Sequence, residues 1–236
     1  MDPLALPLSV LLALWAPFPS SQGRAVVQGP DGVHEVIDDV SPWGLGRMRL
    51  EEWVAAFAPL ARTSAVLPSP ADPLPGLAAA LDVGEGVVAE ASSGRRVLLV
   101  PWVTGTSVTW QVEEMTTLLP PADASQARRD VHAATEAAID ALIELDLARE
   151  RPELADTLND VVTAVVNPRL LPPTLDARRR TLLERSLRLR AICMLALEDD
   201  GAAATARQAD ERAQVLRPLL ATARHGVAAA TEWWAR

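Results

Sequence analysis

The stretch TLDARRRTLLERSLRLRAICMLALEDDGAAATARQADERAQVLRPLLATARHGVAAATEWW, residues 174–234, decides the fold. It reads as a long helical hairpin. The first arm runs from Thr174 to Asp199, the turn is Glu198-Asp199-Asp200-Gly201, and the second arm runs from Ala202 towards Trp234. At 100° per residue, Leu182, Leu189, Cys193 and Ala196 share an arc with Leu183, Leu187, Met194 and Leu197. Leu216, Leu219, Leu220, Ala223, Val227, Ala230 and Trp234 cluster in the same way on the second arm. Gly201 suits a tight helix exit, and Asp199 and Asp200 suit the start of the next helix. Antiparallel pairing about that turn sets Glu184 beside Arg217 and Arg190 beside Glu211. One hairpin leaves part of its apolar stripe bare, so the rest of the chain must cover it.

Upstream, Asp123 with Gln126 three residues on is a capping-box-like helix start, and that helix ends near Arg149. Its predicted buried arc is Val131, Ala134, Ala138, Leu142 and Leu145. Pro152 suits the first turn of the next helix, Glu153 to Val166, closed by Asn167-Pro168. Leu118-Leu-Pro-Pro-Ala122 marks the boundary at which period-2 patterns give way to period 3.6.

Before that boundary the chain reads as strands and turns. Gly86 to Ala91, Val97 to Val103 and Thr106 to Val112 are strands joined at Ser92-Ser93-Gly94 and at Thr104-Gly105. Pairing Val103 with Thr106 places Val97, Leu99, Pro101, Val108, Trp110 and Val112 on a core face. Leu98, Val100 and Trp102 then share a partly covered face with Ser107, Thr109 and Gln111. Pro101 cannot donate to a ladder, which implies an edge or a bulge there. Arg24 to Gln28 and Val33 to Ile37 flank Gly29-Pro30-Asp31-Gly32 as a hairpin. Leu50 to Ala61 reads as a helix with Trp53, Phe57 and Leu60 in step. Ala65 to Leu67 is a short strand, and Ser69 to Gly76, with three prolines, is a loop.

The predicted architecture is α+β. A mixed, mainly antiparallel sheet region covers residues 1–119, and a four-helix region covers 122–236, ending in the hairpin and packing with the sheet as one body. The segment Leu4 to Ala16 is apolar but carries Asp2 and no early positive charge, and prolines interrupt it. It reads as a docked helix, Leu6 to Trp15, rather than a signal peptide, and it is too short to span a bilayer.

The 236 residues contain no lysine and no tyrosine, and the formal charge is −9. Residues 1–121 hold 13 acids against 6 arginines, so the acid excess sits with the sheet region. Such a chain repels nucleic acid and anionic membrane. The single cysteine, Cys193, excludes an internal disulfide and a Cys-based zinc site, and fits a reducing, cytoplasmic setting. No G-x-S-x-G, P-loop, G-x-G-x-x-G or H-E-x-x-H occurs, and no cofactor or metal is implied.

Four constellations remain. His132, Glu136, Asp140 and Glu144 repeat every fourth residue but lie opposite the apolar arc, which reads as a solvated face. Arg178-Arg179-Arg180 with Arg185, Arg188 and Arg190 is a basic run, but the long link from Asn167 to Thr174 does not suit a DNA-reading helix pair. Trp43, in a Gly/Pro loop, and Trp102, on the half-polar sheet face, are candidates for binding a partner. Arg190 and Arg212 project into the apolar arcs of the hairpin at nearly the same level, which calls for an internal ion network or a bound anion. A sharp bend or break is expected where Pro218 interrupts the second arm.

The segments DPLPGLAAALDVGEGVV and RSLRLRAICMLALEDDGAAAT, with the closing helix, resemble conserved proteins of high-G+C bacteria that carry no assigned function. The likeness spans the second half and part of the first, and implies neither a catalytic residue nor a substrate. The expected function is that of a non-enzymatic intracellular interaction or regulatory protein with a protein partner. The alternative is an enzyme or small-anion binder with a site between the sheet and the hairpin.

Overall fold

Alternating burial builds the sheet. The structure, a computed structural model, describes residues 3–29, 32–144, 152–198 and 206–235. Its seven strands are β1 (Val33–Asp38), β2 (Gly46–Arg49), β3 (Leu60–Val66), β4 (Gly86–Ala91), β5 (Arg96–Thr104), β6 (Ser107–Glu114) and β7 (Trp233–Trp234). They order as β2-β1-β6-β5-β4-β3-β7, antiparallel throughout except for the parallel pair β1–β6. The helices are α1 (Leu8–Trp15), α2 (Ser21–Gln28), α3 (Leu50–Phe57), α4 (Ala78–Leu81), α5 (Ala124–Glu144), α6 (Pro152–Thr163), α7 (Ala177–Glu198) and α8 (Ala206–Thr231). The fold class is α+β, with a mixed sheet in the N-terminal half and long helices in the C-terminal half.

The chain divides into two compact units. A sheet unit is built on Leu6–Ala122 with Pro168–Asp176 and the residues from Thr231 onward, and a helical unit on Asp123–Asn167 and Ala177–Ala230. In the sheet unit, the rows Thr63–Ala89–Val97 and Ala65–Val87–Leu99 run across three strands on one face. That face carries α1, with the Thr63 hydroxyl donating to the Ala13 carbonyl, and α3, whose Trp53 reaches β1. The opposite face buries Leu98, Val100, Val88 and Val66 against Leu77 and Ala80. Beyond them Trp102 and Gln111 are exposed, so this second face is covered in part.

Several expectations needed correction. Val103 pairs with Val108 and Thr104 with Ser107, two residues out from the predicted register. Because side chains alternate with period 2, a two-residue shift leaves every face assignment unchanged. Pro101 sits in an interior strand, but β4 pairs with β5 only from Leu99 towards Arg96, so Pro101 lies beyond the end of β4. If Thr104 and Ser107 close a two-residue turn as a bonded pair, alternation aims the nitrogen at position 101 towards that empty side.

Ser21–Gln28 is a helix, not the first strand of a hairpin. Ser20 caps it by accepting from the Gly23 N–H at 3.0 Å, and Gly29, at φ 71°, ends it. The predicted Leu50–Ala61 helix stops at Phe57, because Pro59 disfavours helical backbone at Ala58. The chain from Leu60 is strand β3, longer than the Ala65–Leu67 piece expected.

In the helical unit Val131, Ala134, Ala138 and Ala141 are buried as the α5 arc, while Leu142 and Leu145 lie outside the residues whose side chains are described. The buried residues of α7 include Leu182, Leu183, Leu187, Leu189, Cys193 and Ala196. The predicted turn from Asp199 to Gly201 lies outside the described residues. The hairpin's register differs from the expected one. Ala196 packs on Leu216, and Ser186 lies against Gly226. The arms are therefore offset by about three helical turns from the register that paired Glu184 with Arg217 and Arg190 with Glu211. Gly226 lets α8 approach both α5 and α7 closely. A Cβ there would clash with the Ser186 hydroxyl and lie 2.6 Å from a Val131 methyl.

Helix α8 runs unbroken through Pro218, so no break divides it. It ends at Thr231, and Trp234 belongs to β7, paired with Arg62 of β3, instead of extending the helix's buried stripe.

Candidate functional site

An apolar cleft of about 240 Å³ opens among α1, α2 and α3 of the sheet unit. Leu12 and Trp15 of α1, Val27 of α2, and Leu50 and Val54 of α3 form its walls. Trp15 donates its indole N–H to the Leu170 carbonyl at 2.8 Å, which fixes the ring. Gly23 is the close approach between α1 and α2, since a Cβ there would come within 2.7 Å of the Trp15 ring. At the rim, Gln28 donates to Glu51 at 2.8 Å and ties α2 to α3, and Arg24 supplies a positive charge.

The sheet unit carries two buried polar networks, one of which holds the wall helix α3. Asp38 is fully buried, and Arg95 grips both of its oxygens at 2.7 and 3.1 Å while the Trp53 indole donates at 2.8 Å. Burial alone would push the Asp38 carboxyl up. The hydrogen bonds from Arg95 and Trp53, with the guanidinium charge, outweigh it and hold the group below the usual carboxylate range. Trp53 stacks on Phe57 at 4.6 Å, so this network positions α3. Nearby, buried His34 accepts from the Trp110 indole on Nδ1 at 3.2 Å. Burial lowers its pKa against the opposing pull of Glu51, which favours the neutral ring.

A second network closes the far edge of the sheet. Arg62 and Glu232 are both buried and meet at 2.7 Å. Arg62 also donates to the carbonyls of Leu119 and Pro120, and its guanidinium lies 4.8 Å from the Trp234 ring centroid. Glu232 accepts from the Ala122 N–H at 2.6 Å and from the Trp234 indole at 3.0 Å. These charges are matched within the fold, as buried charges must be.

Trp43 is 67% exposed and Trp102 is 46% exposed, so both are open to a partner. Arg190 is half-buried on α7, and Arg212 is buried on α8. In the observed register they stand about ten residues apart in level, about 15 Å along the axis, and do not form the expected pair. His132, Glu136 and Asp140 are exposed. Cys193 is buried, and burial pushes its thiol up to about 12, which suits packing and not nucleophilic attack.

None of the cleft residues was singled out from the sequence as a site. Reading Arg24 to Gln28 as a strand removed α2, and the cleft with it. The signal that could have found it is Pro19-Ser20 as a helix start, with Gly23 and Val27 four apart on one face and Gly29 as the stop.

Residues 125–228 match the family model of the Rv1486c-like protein, C-terminal domain. The match runs from the start of α5 to near the end of α8, takes in the Pro168–Asp176 segment of the sheet unit, and leaves the cleft residues outside it. No curated protein and no solved structure matches the chain. Among the described residues, no helix is long and apolar enough to cross a membrane.

Proposed function

We propose that this is a non-catalytic, intracellular interaction protein that holds the apolar face of a basic amphipathic helix from a partner protein in the cleft among α1, α2 and α3. The cleft itself carries the reading: its walls are aliphatic and aromatic, and its polar groups stand at the rim. Its volume, about 240 Å³, falls below the roughly 300–1,000 Å³ of small-molecule sites and suits a few anchoring side chains. The acid excess of residues 1–121 favours a basic partner. Asp38 and Glu232, the buried acids among the described residues of this unit, are tied to arginines and so are poorly placed to carry protons in catalysis.

The test is a titration of the protein with a model amphipathic helix rich in leucine and arginine, followed by NMR of methyl and indole groups. Saturable shifts at Leu12, Val27, Val54 and Trp15 are expected, and Val54→Glu should abolish them. Shifts confined to other surfaces, or binding unmoved by Val54→Glu, would overturn the reading.

A further inference from the structure

A second cavity, of about 260 Å³, lies within the helical unit between α5 and α7 and is lined by His132, Thr135, Arg185, Arg188, Leu189 and Ile192. Its polar lining is one-sided. Arg185 and Arg188 are three apart on α7 and so neighbours on one face, and His132 comes from α5. One terminal nitrogen of Arg188 donates to the Ala164 carbonyl at 2.8 Å, which anchors the guanidinium just past the end of α6. Its Nε–H is buried and has no acceptor among the described residues. The Thr135 hydroxyl donates to the Val131 carbonyl at 2.7 Å, so its proton is already used. The carboxylate of Glu136 stands 3.8 Å from the His132 imidazole and is itself exposed.

Two guanidiniums and an imidazole facing one space are complementary to a group that only accepts hydrogen bonds. Carboxylates and phosphates are such groups, and Arg binds them with planar, directional donors. Buried Leu189 and Ile192 complete the wall, so the oxyanion would carry an apolar substituent. We propose that this cavity binds a small organic oxyanion, a carboxylate or phosphate ester with a short aliphatic group, held by Arg185, Arg188 and His132. All six lining residues fall inside the matched segment 125–228. The proposal does not depend on the cleft of the sheet unit.

The test uses the full chain with four probes: hexanoate, hexyl phosphate, acetate and inorganic phosphate. Binding is followed by calorimetry and by the Arg188 Nε–H resonance. One of the hexyl compounds should bind saturably, more tightly than its unsubstituted counterpart, and move that resonance. Preference for hexanoate assigns a carboxylate ligand, and preference for hexyl phosphate assigns a phosphate ester. Arg188→Met could loosen α6 by losing the Ala164 contact, so the decisive variant is the exposed Arg185→Met. It should weaken binding at least about tenfold, as loss of a charged hydrogen bond does. Arg178→Met, exposed on the same helix but outside the cavity, should leave binding unchanged. Absence of saturable binding, equal affinity with and without the hexyl group, or indifference to Arg185→Met would each overturn the proposal.

Discussion

The two units answer the same problem, a charged group inside a packed body, in different ways. The sheet unit matches buried acids with arginines, half-buried Arg95 with Asp38 and buried Arg62 with Glu232. In the helical unit, arginines of α7 reach backbone carbonyls near the ends of neighbouring helices. Arg179 donates to Ala230 near the end of α8, and Arg188 donates to Ala164 just past α6. Those last carbonyls lack intrahelical donors and carry the negative end of the helix dipole, so a guanidinium there satisfies both. The sheet unit is thus locked by specific pairs far apart in sequence. The helical unit is held by close helix contact, as around Gly226, with arginines at helix ends.

The largest test of this contrast is Asp38→Ala, which strands Arg95 and the Trp53 indole. It should cost about 3–5 kcal/mol in denaturant unfolding, the range for removing one partner of a buried pair. A loss under about 1 kcal/mol would mean that the pair adds little to the sheet unit. Joining Asp38→Leu to Arg95→Met should recover much of the loss, because no buried charge is then left alone.

Next in size is Gly226→Ala. On an exposed helix this change adds about 1 kcal/mol of stability through helix propensity. Here the new methyl would meet Ser186 and Val131, so a loss of about 1–3 kcal/mol is expected from overpacking. The sign of the Tm change decides the matter, and a rise would show that the three helices can part at no cost.

Ser20→Ala removes the cap of α2 and should cost about 1 kcal/mol. Its local sign is faster amide exchange over Gly23–Val27. Unchanged exchange would separate the cleft wall from its cap.

The smallest effect is in pH. Folded His34 stays neutral where the unfolded imidazole, with its ordinary value of 6.5, takes up a proton. Its contribution to stability is therefore present above that value and is lost as pH falls below it. Asp38, held below its ordinary 3.8, adds a second loss at still lower pH, as the unfolded carboxyl protonates before the folded one. A thermal melt monitored at the Trp110 indole should fall on acidification through both windows. A flat profile between neutral pH and the lower window would remove His34 from this account.

The parts of the fold legible in the sequence are those in which one periodicity dominates. Strands β4 to β6 and the buried arcs of α5 and α7 follow directly from periods of 2 and 3.6. Three features escaped because local pattern competes there with partners distant in sequence. Ser21–Gln28 has too few apolar residues for a periodic signal, and its helix depends on a cap and on the fit of Gly23 against Trp15. The expected register of α7 on α8 follows from antiparallel pairing about a tight turn, whereas the close contact of Gly226 with Ser186 marks a different level. Trp233–Trp234 continues a helical stripe by pattern, yet pairs with β3. Of the candidate site, Trp43 and Trp102 could be placed at the surface from their loop and their half-polar face. The cleft could not, since one wall was missing from the reading.

The pairing of β7 with β3 also bears on how the chain is synthesised. The residues that complete Arg62, Glu232 with Trp234, follow Ala122 by about 110 positions. A ribosome adding about 5–20 residues per second needs roughly 5–20 s to cover that distance. During this interval strand β3 has emerged with one edge open, and its arginine has no carboxylate to meet. The sheet can gather its other strands but cannot finish. Closure waits for the last helix to be made, so a nascent chain stalled within α8 exposes a strand edge that the finished molecule conceals. That makes such a chain a natural client for chaperones that bind open edges.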